Sequence, residues 1–265
     1  MKGLLEGFDV GVQTRLPEGF ESDPSFAGWM RLMSDLGFSV VELNIVEPER
    51  IDPVRVVAFL ERFGLRMTAF ATGACAKALS LSLSHPDETL RGVSVHYCER
   101  YIEFGAAMGC PIILGYFKGW RDATVEPLIR SLRELAPLAE KLGVNVVLEA
   151  TNRFETGVCN RADQALAVLD AVGSDRFRVL LDTFHMNIEE TDMLGAFDLA
   201  AGRYGSVHLS DNNRFLPGLG AIDFGPIVRH LIDGGFRGIF ALEGNIKDSF
   251  ESDVTAAARC LESLV

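Results

Sequence analysis

The sequence lacks several features that mark other classes of protein. Its 265 residues include only five cysteines and no CxxC pair, which argues against a disulfide framework or a structural zinc cluster. No apolar stretch is long enough to cross a membrane, and the N-terminal MKGLLEGFDV lacks the long apolar run of a signal peptide. The net charge of −12 and the absence of a basic segment disfavour nucleic acids and anionic membranes as partners. We therefore expect a cytoplasmic protein with reduced thiols.

One pattern repeats along the chain: an apolar strand, a polar loop, an amphipathic helix and a glycine. It predicts eight strands, at residues 8–13, 39–45, 65–71, 111–116, 144–149, 177–182, 205–209 and 238–243. Nearly continuous apolar strands that alternate with helices favour a parallel sheet covered by helices. Eight units fit an α/β fold of the (β/α)8 type, a TIM barrel of roughly 250 residues. The alternative, an open doubly wound sheet, lacks its usual Gly-rich first turn, so we predict one barrel domain over residues 1–265.

Acidic and imidazole side chains stand at the ends of four consecutive predicted strands. Glu149 ends the fifth strand, Asp182 the sixth and Glu243 the eighth, while His208 lies in the last turn of the seventh. Because barrel active sites form where strands end and loops begin, we expect these side chains to meet. Three carboxylates held together would raise one another's pKa, and a divalent cation relieves that repulsion. Three oxygens and one nitrogen suit Mn²⁺, Co²⁺ or Mg²⁺ better than structural zinc.

Each of these residues also has a structural explanation. Glu149 could cap the following turn, Asp182 could be an N-cap, and His208 could be a hydrogen-bonded core histidine. Four such residues on consecutive strand ends favour the metal site, because burial of unpaired charge is expensive. Trp120, after the fourth strand, could line a distal pocket, and packing under a loop explains it equally well.

Four segments give the chain a family resemblance. They are LEATNRFET (148–156), LLDTFHMNIEE (180–190), HLSDNNRFLPGLGAIDF (208–224) and ALEG (241–244). These segments resemble the xylose-isomerase-like barrel superfamily, and within it the ketose 3-epimerases of the D-tagatose and D-psicose kind. The N-terminal half matches only in its strand–helix rhythm. Two departures leave the substrate open: Ala150 stands where the family usually has Pro, and Ser210-Asp211-Asn212 stands where similar epimerases tend to have Gly-Glu before Asn-Arg.

The resemblance implies a metal-dependent enzyme that inverts C3 of a free keto-sugar, an isomerase of the epimerase kind. It implies that one divalent metal, typically manganese or cobalt, is bound by Glu149, Asp182, His208 and Glu243. Glu149 and Glu243 would form the acid/base pair, and the O1 and O2 end of the substrate would be held by Glu155, His185 and Arg214. The metal would act as a Lewis acid that stabilises the enediolate formed when the C3 proton leaves. The resemblance also suggests a homodimer or homotetramer.

Three alternatives remain open at this point. An aldose–ketose, inosose, hydroxypyruvate or acid-sugar isomerase of the same superfamily would use the same metal. A phosphodiesterase similar to endonuclease IV needs a histidine-rich, multi-metal centre and a cationic surface, whereas this chain has five histidines and a net charge of −12. A non-catalytic sugar sensor is disfavoured because both proton-transfer carboxylates are present. Phosphorylated substrates are less favoured than free ones, since no Gly-rich phosphate cradle follows the seventh and eighth strands.

Overall fold

Eight parallel strands pair in sequence order and close into a barrel. The computed structural model describes residues 5–264. The strands are β1 (Asp9–Arg15), β2 (Val40–Asn44), β3 (Arg66–Ala71), β4 (Ile112–Leu114), β5 (Val146–Ala150), β6 (Phe177–Asp182), β7 (Tyr204–Leu209) and β8 (Ile239–Leu242). The barrel closes where β1 pairs with β8, with Val12 opposite Leu242. The predicted TIM barrel is therefore confirmed, and every predicted strand overlaps an observed one.

Helices follow each strand and cover the outside of the barrel. They are α1 (Pro24–Asp35), α2 (Pro53–Glu61), α3 (Gly73–Ala78), α4 (Glu88–Met108), α5 (Val125–Leu142), α6 (Ala162–Val172), α7 (Thr183–Glu189), α8 (Met193–Leu199), α9 (Phe224–Asp233) and α10 (Phe250–Glu262). Asp23 and Asp52 cap α1 and α2, each just before a proline at the first helical position, an arrangement that satisfies free N–H groups and presets φ. Within residues 5–264, no helix has the length and apolarity to span a bilayer.

Two short helices lie where the sequence analysis did not predict them. Helix α3 occupies part of the long segment between β3 and α4. Helix α7 starts directly after β6 and uses Asp182 as its N-cap. Seven residues are too few to display a clear helical period of apolar positions, so the capping function of Asp182 was the only available signal.

The fourth strand is shorter than predicted. It covers three residues, and a 3-10 helix over Tyr116–Lys118 replaces its expected end. Gly115 lies between the two, and a Cβ added to it would stand 2.2 Å from Oε2 of Glu149 on the neighbouring strand. The turn at Gly115 therefore leaves space that the Glu149 carboxylate fills.

The barrel interior is built in layers. Ala69, Ile113, Val147 and Leu180, one residue each from β3 to β6, form an apolar cluster separate from the main core. Side chains two residues apart on a strand share a face, so Glu149 and Asp182 follow Val147 and Leu180 on the inner side. The apolar layer thus forms the floor on which polar side chains stand at the carboxyl ends of the strands.

Candidate metal centre

The structure brings together the four side chains that end strands β5 to β8. One potential ligand atom from each of Glu149, Asp182, His208 and Glu243 lies within 4.8 Å of the others. The first three residues are buried, whereas the side chain of Glu243 is 20% exposed. This is a compact set of three carboxylates and one imidazole with access from one side.

The two carboxylate oxygens of Asp182 have different partners. Oδ1 accepts the backbone N–H of Phe184 at 2.7 Å, which caps helix α7. Oδ2 lies 2.5 Å from Nη1 of Arg214 and 3.9 Å from Nδ1 of His208. The capping explanation and the ligand explanation of Asp182 are thus compatible, because they concern different oxygens.

His208 stands between two carboxylates. Its Nδ1 is 2.7 Å from Oε2 of Glu243, and its Nε2 is 2.8 Å from Oε2 of Glu42 on β2. Burial alone would lower the pKa of His208, but the charges of Glu42 and Glu243 raise it well above its usual value. Sequence reasoning missed Glu42. A lone acid inside the apolar strand SVVELNI was the signal that could have found it.

The surroundings of Glu149 show whether a divalent cation fits this site. Burial, followed by the charge of Glu243, raises the pKa of Glu149 to about 8. Its Oε1 is buried and has no hydrogen-bond partner among residues 5–264. A buried carboxylate oxygen without a partner, beside two other carboxylates and an imidazole, matches the donor set of a divalent cation that prefers oxygen ligands. The residues therefore fit a metal of this kind.

Arg214 lies across the acidic cluster. Its guanidinium contacts Asp182 and Glu243 at 2.5 and 2.6 Å, and its Cζ lies 5.0 Å from the centre of the Phe184 ring. Burial alone would raise the pKa of Glu243, but Arg214 and His208 lower it below its usual value. The backbone of Arg214 is left-handed, with φ of 63°, and its carbonyl accepts the N–H of Asn245 at 2.7 Å. This residue is held in an unusual conformation that aims its side chain at the cluster.

The loop that carries Arg214 is folded around the buried carboxylate of Asp211. That carboxylate accepts backbone N–H groups at 2.8 to 3.1 Å from Asn212, Gly218, Gly220 and Ile222. A Cβ on Gly220 would lie 2.3 Å from Oδ1 of Asp211, so the loop is closely packed there. The turn at residues 217–220 is thus part of a loop organised by a single side chain.

His185 lies beside the cluster, on helix α7. Its Nδ1 is 2.7 Å from the side-chain nitrogen of Asn152 and 3.2 Å from the backbone nitrogen of Asn152. Both groups donate, so Nδ1 accepts and Nε2 carries the proton. Nε2 lies 3.6 Å from Oε1 of Glu149. Burial, the largest cause, lowers the pKa of His185, which favours a neutral imidazole that presents an N–H to the site.

Glu155 and Trp120 lie farther from the cluster. Glu155 is exposed, and its Oε1 accepts a hydrogen bond from the side chain of Asn152 at 3.2 Å. Trp120 packs edge-on against His85, with 6.2 Å between the ring centres. Its Nε1 is buried without a hydrogen-bond partner among the described residues. The roles expected for Glu155 and Trp120 remain predictions.

The chain is similar in sequence and in fold to known proteins. A family model described as xylose isomerase-like TIM barrel matches residues 30–264. The ketose 3-epimerase of Arthrobacter globiformis is 31% identical over 228 residues, which cover 84% of this chain and 76% of that protein. The D-psicose 3-epimerase of Enterocloster bolteae is 39% identical over 115 residues, a match that spans 43% of this chain and 38% of that protein. The crystal structure of 3-keto-D-glucoside 4-epimerase from E. coli superposes with a TM-score of 0.81 over 97% of this chain and 98% of that chain; at 23% identity this shows a shared fold.

Proposed function

Because the chain belongs to the xylose isomerase-like TIM barrel family, we propose that it is a divalent-metal-dependent ketose 3-epimerase. The observation that carries the proposal is the cluster of Glu149, Asp182, His208 and Glu243 at the ends of four consecutive strands. The similarity to a ketose 3-epimerase over most of the chain supports the reaction class. The whole barrel, residues 1–265, would be one catalytic domain.

The four clustered side chains would hold one divalent cation. Three carboxylates and an imidazole suit Mn²⁺, which we propose as the native ion, and Co²⁺ or Mg²⁺ could use the same donors. When bound, the cation supplies Lewis-acid stabilisation of negative charge that develops on the substrate oxygens. The buried Oε1 of Glu149, which has no partner among residues 5–264, is the atom in this set that gains most from such an ion.

Glu149 and Glu243 would move the proton. They extend from β5 and from the end of β8, three strands apart around an eight-stranded barrel, and therefore approach a sugar between them from different sides. One carboxylate takes the proton from C3, and the other gives a proton to the opposite face of the same carbon. The configuration at C3 is inverted, and each carboxylate ends in the protonation state in which the other began.

Three further side chains would bind the reacting end of the sugar. His185 presents its Nε2–H beside Glu149, and Arg214 brings a guanidinium to the same mouth. Both groups can donate hydrogen bonds to the O1 and O2 region, where negative charge develops. We also assign Glu155 to this end of the substrate, and we propose Trp120 as part of the distal pocket.

A substrate panel in heavy water tests the proposal. The protein, stripped of metal and reloaded with Mn²⁺, is incubated with fructose, tagatose, psicose and sorbulose, and the products are followed by NMR. A 3-epimerase gives the C3 epimer with solvent deuterium at C3, whereas deuterium at C1 or C2 indicates an aldose–ketose isomerase. Glu149→Gln and Glu243→Gln should abolish exchange. Asp9→Asn should not, because Asp9 is the first residue of β1 and the cluster lies at the opposite ends of the strands. No turnover of any ketose would overturn the proposal.

We also propose a cellular compartment and an oligomeric state for the protein. Its five cysteines are free, and free thiols favour a reducing compartment, so we place the protein in the cytoplasm. We propose a homodimer or homotetramer that acts on small sugars, without nucleic-acid or membrane partners. Light scattering of the purified protein measures the oligomeric state directly.

A further inference from the structure

Glu42 contacts His208 on the side of the ring away from the other potential ligands. Oε2 of Glu42 is 2.8 Å from Nε2 of His208, whereas Nδ1 lies 2.7 Å from Glu243 and 3.9 Å from Asp182. We propose that Glu42 is a positioning residue that holds His208 with Nδ1 directed at the metal. This inference rests on the metal centre of the proposed function and assigns a role to a residue in the N-terminal half of the chain.

The chemistry of the imidazole makes the contact directional. A carboxylate can only accept, so Nε2 donates its hydrogen bond to Glu42, and a metal that displaced the proton between Nδ1 and Glu243 would bind the lone pair of Nδ1. Partners of this kind fix the tautomer and orientation of metal-binding histidines and raise their basicity. The side chains of His208 and Glu42 are 0% and 1% exposed. Bulk water therefore offers Nε2 no alternative acceptor.

Glu42 is itself held by a short chain of polar side chains. Gln13 donates to Oε2 of Glu42 at 3.4 Å, and Asn44 donates to the side-chain oxygen of Gln13 at 3.4 Å. Asn44 in turn accepts the backbone N–H of Ala74, in helix α3, at 2.9 Å. These contacts connect the carboxylate to β1 and to helix α3, and it reaches across the barrel interior from β2 to β7.

Stability alone explains Glu42 poorly. A buried ion pair often contributes little to the free energy of unfolding, because desolvation offsets the attraction of the charges. Oε1 of Glu42 is buried and has no hydrogen-bond partner among residues 5–264, which adds a further cost. Burial of Glu42 is costly, and this residue contacts His208, a potential metal ligand. Its presence is therefore better explained if it orients His208.

Two substitutions and one control test the inference by metal binding. In Glu42→Leu, Nε2 of His208 loses its acceptor, and we expect Mn²⁺ affinity to fall about 10- to 100-fold, the usual effect of removing such a partner. The visible absorption spectrum of the Co²⁺-loaded protein should change as well. In Glu42→Gln the amide oxygen can still accept from Nε2, so the Co²⁺ spectrum should persist with a smaller loss of affinity. Asp9→Asn, a half-buried acid at the other end of the barrel, should bind both ions like wild type.

A double-mutant cycle separates orientation from general stability. If Glu42 acts through His208, then Glu42→Leu should cause no additional loss of Mn²⁺ affinity in a His208→Ala background. A full additional loss in that background, or wild-type Mn²⁺ affinity in folded Glu42→Leu, would overturn the inference. If circular dichroism shows that Glu42→Leu is unfolded, Glu42→Gln decides, because affinity equal to wild type would refute the role. Failure of the wild-type protein itself to bind Mn²⁺ would instead refute the proposed function.

Discussion

Arg214 donates a hydrogen bond to Glu243, with 2.6 Å between Nη2 and Oε1. Its other terminal nitrogen lies 2.5 Å from Oδ2 of Asp182. The guanidinium therefore contacts two of the carboxylates that we assign to the metal, and a divalent cation bound by the same oxygens would compete with it. We therefore expect Arg214 to turn from the carboxylates toward the sugar when the centre is loaded.

This competition predicts the behaviour of Arg214→Ala. Removal of the guanidinium frees oxygens of Asp182 and Glu243 and removes a like charge, so Mn²⁺ affinity should be equal to or higher than in wild type. Turnover of the sugar should fall by about 10²- to 10³-fold, because a donor to the developing negative charge is lost. Mn²⁺ titration and steady-state kinetics measure the two effects. Arg214→Lys keeps the charge but not the forked geometry and should recover only part of the rate. Mn²⁺ binding weakened more than tenfold in Arg214→Ala would contradict this role.

Asp182→Asn should separate metal binding from helix capping. The remaining carbonyl oxygen can still accept the N–H of Phe184, and Asn is as good an N-cap as Asp. The free energy of unfolding of the metal-free variant should therefore lie within about 2 kcal/mol of the wild-type value. Mn²⁺ affinity should fall by more than tenfold, because a charged donor is lost. Urea unfolding in EDTA and Mn²⁺ titration provide the two values. Wild-type Mn²⁺ affinity in Asp182→Asn would remove this residue from the set of ligands.

His185→Ala should retain the metal and lose turnover. The ring is oriented by Asn152 and presents Nε2–H near Glu149, but it is not one of the four clustered residues that we assign to the metal. We expect Mn²⁺ affinity within about twofold of wild type and a fall in kcat of about 10²- to 10³-fold, the usual effect of removing one donor to a developing oxyanion. His96→Ala provides the matched control, because the side chain of His96 lies on helix α4 and is 67% exposed. A loss of metal in His185→Ala would show that this residue is a ligand.

The sequence predicted the barrel and the four clustered residues for the same reason. Strand ends in a parallel barrel meet at one rim whatever the details of packing, so Glu149 and Glu243 could be brought together from strand order alone. Glu42 lies inside its strand, and its contact with His208 connects β2 to β7 across the interior. That contact depends on barrel closure and register, which no local pattern encodes. Helix α7 escaped prediction because one residue, Asp182, both ends a strand and caps the helix.

Asp211→Ala should loosen the loop that positions Arg214. Four backbone N–H groups lose their acceptor, among them those of Gly218 and Gly220, so the contacts that hold the loop around residue 211 are removed. Hydrogen exchange should accelerate in residues 212–222, while residues 177–182 in β6 serve as an internal control. Turnover should fall with Mn²⁺ affinity little changed, since Asp211 is not one of the four clustered residues that we assign to the metal. Unchanged exchange in residues 212–222 would show that the loop is held by other contacts.

Lys118 gives a prediction that depends on pH. Its side chain is buried, with Nζ 3.3 Å from the carbonyl oxygen of Gly115 and hydrogen-bonded to the hydroxyl of Thr151. Burial lowers the pKa of Lys118 from 10.5 to about 8, against the opposing charges of Cys159 and Glu149. Between pH 8 and 10.5 the unfolded chain therefore binds more protons at this residue than the folded chain does. The contribution of Lys118 to the free energy of unfolding therefore rises with pH through that range.

Comparison with Lys118→Met isolates this effect. Subtraction of the free energies of unfolding of the two proteins cancels the titration of groups that do not interact with Lys118, whereas Cys159 and Glu149, which do interact with it, contribute to the difference. We expect wild type to gain on the order of 1–3 kcal/mol relative to Lys118→Met between pH 7 and pH 10. Urea unfolding in EDTA at pH 7, 8, 9 and 10 measures the difference. Lys141→Met removes an exposed ammonium and should show no such trend. A difference between wild type and Lys118→Met that stayed flat or fell with pH would mean that the buried amine keeps its proton throughout, held by its oxygen partners.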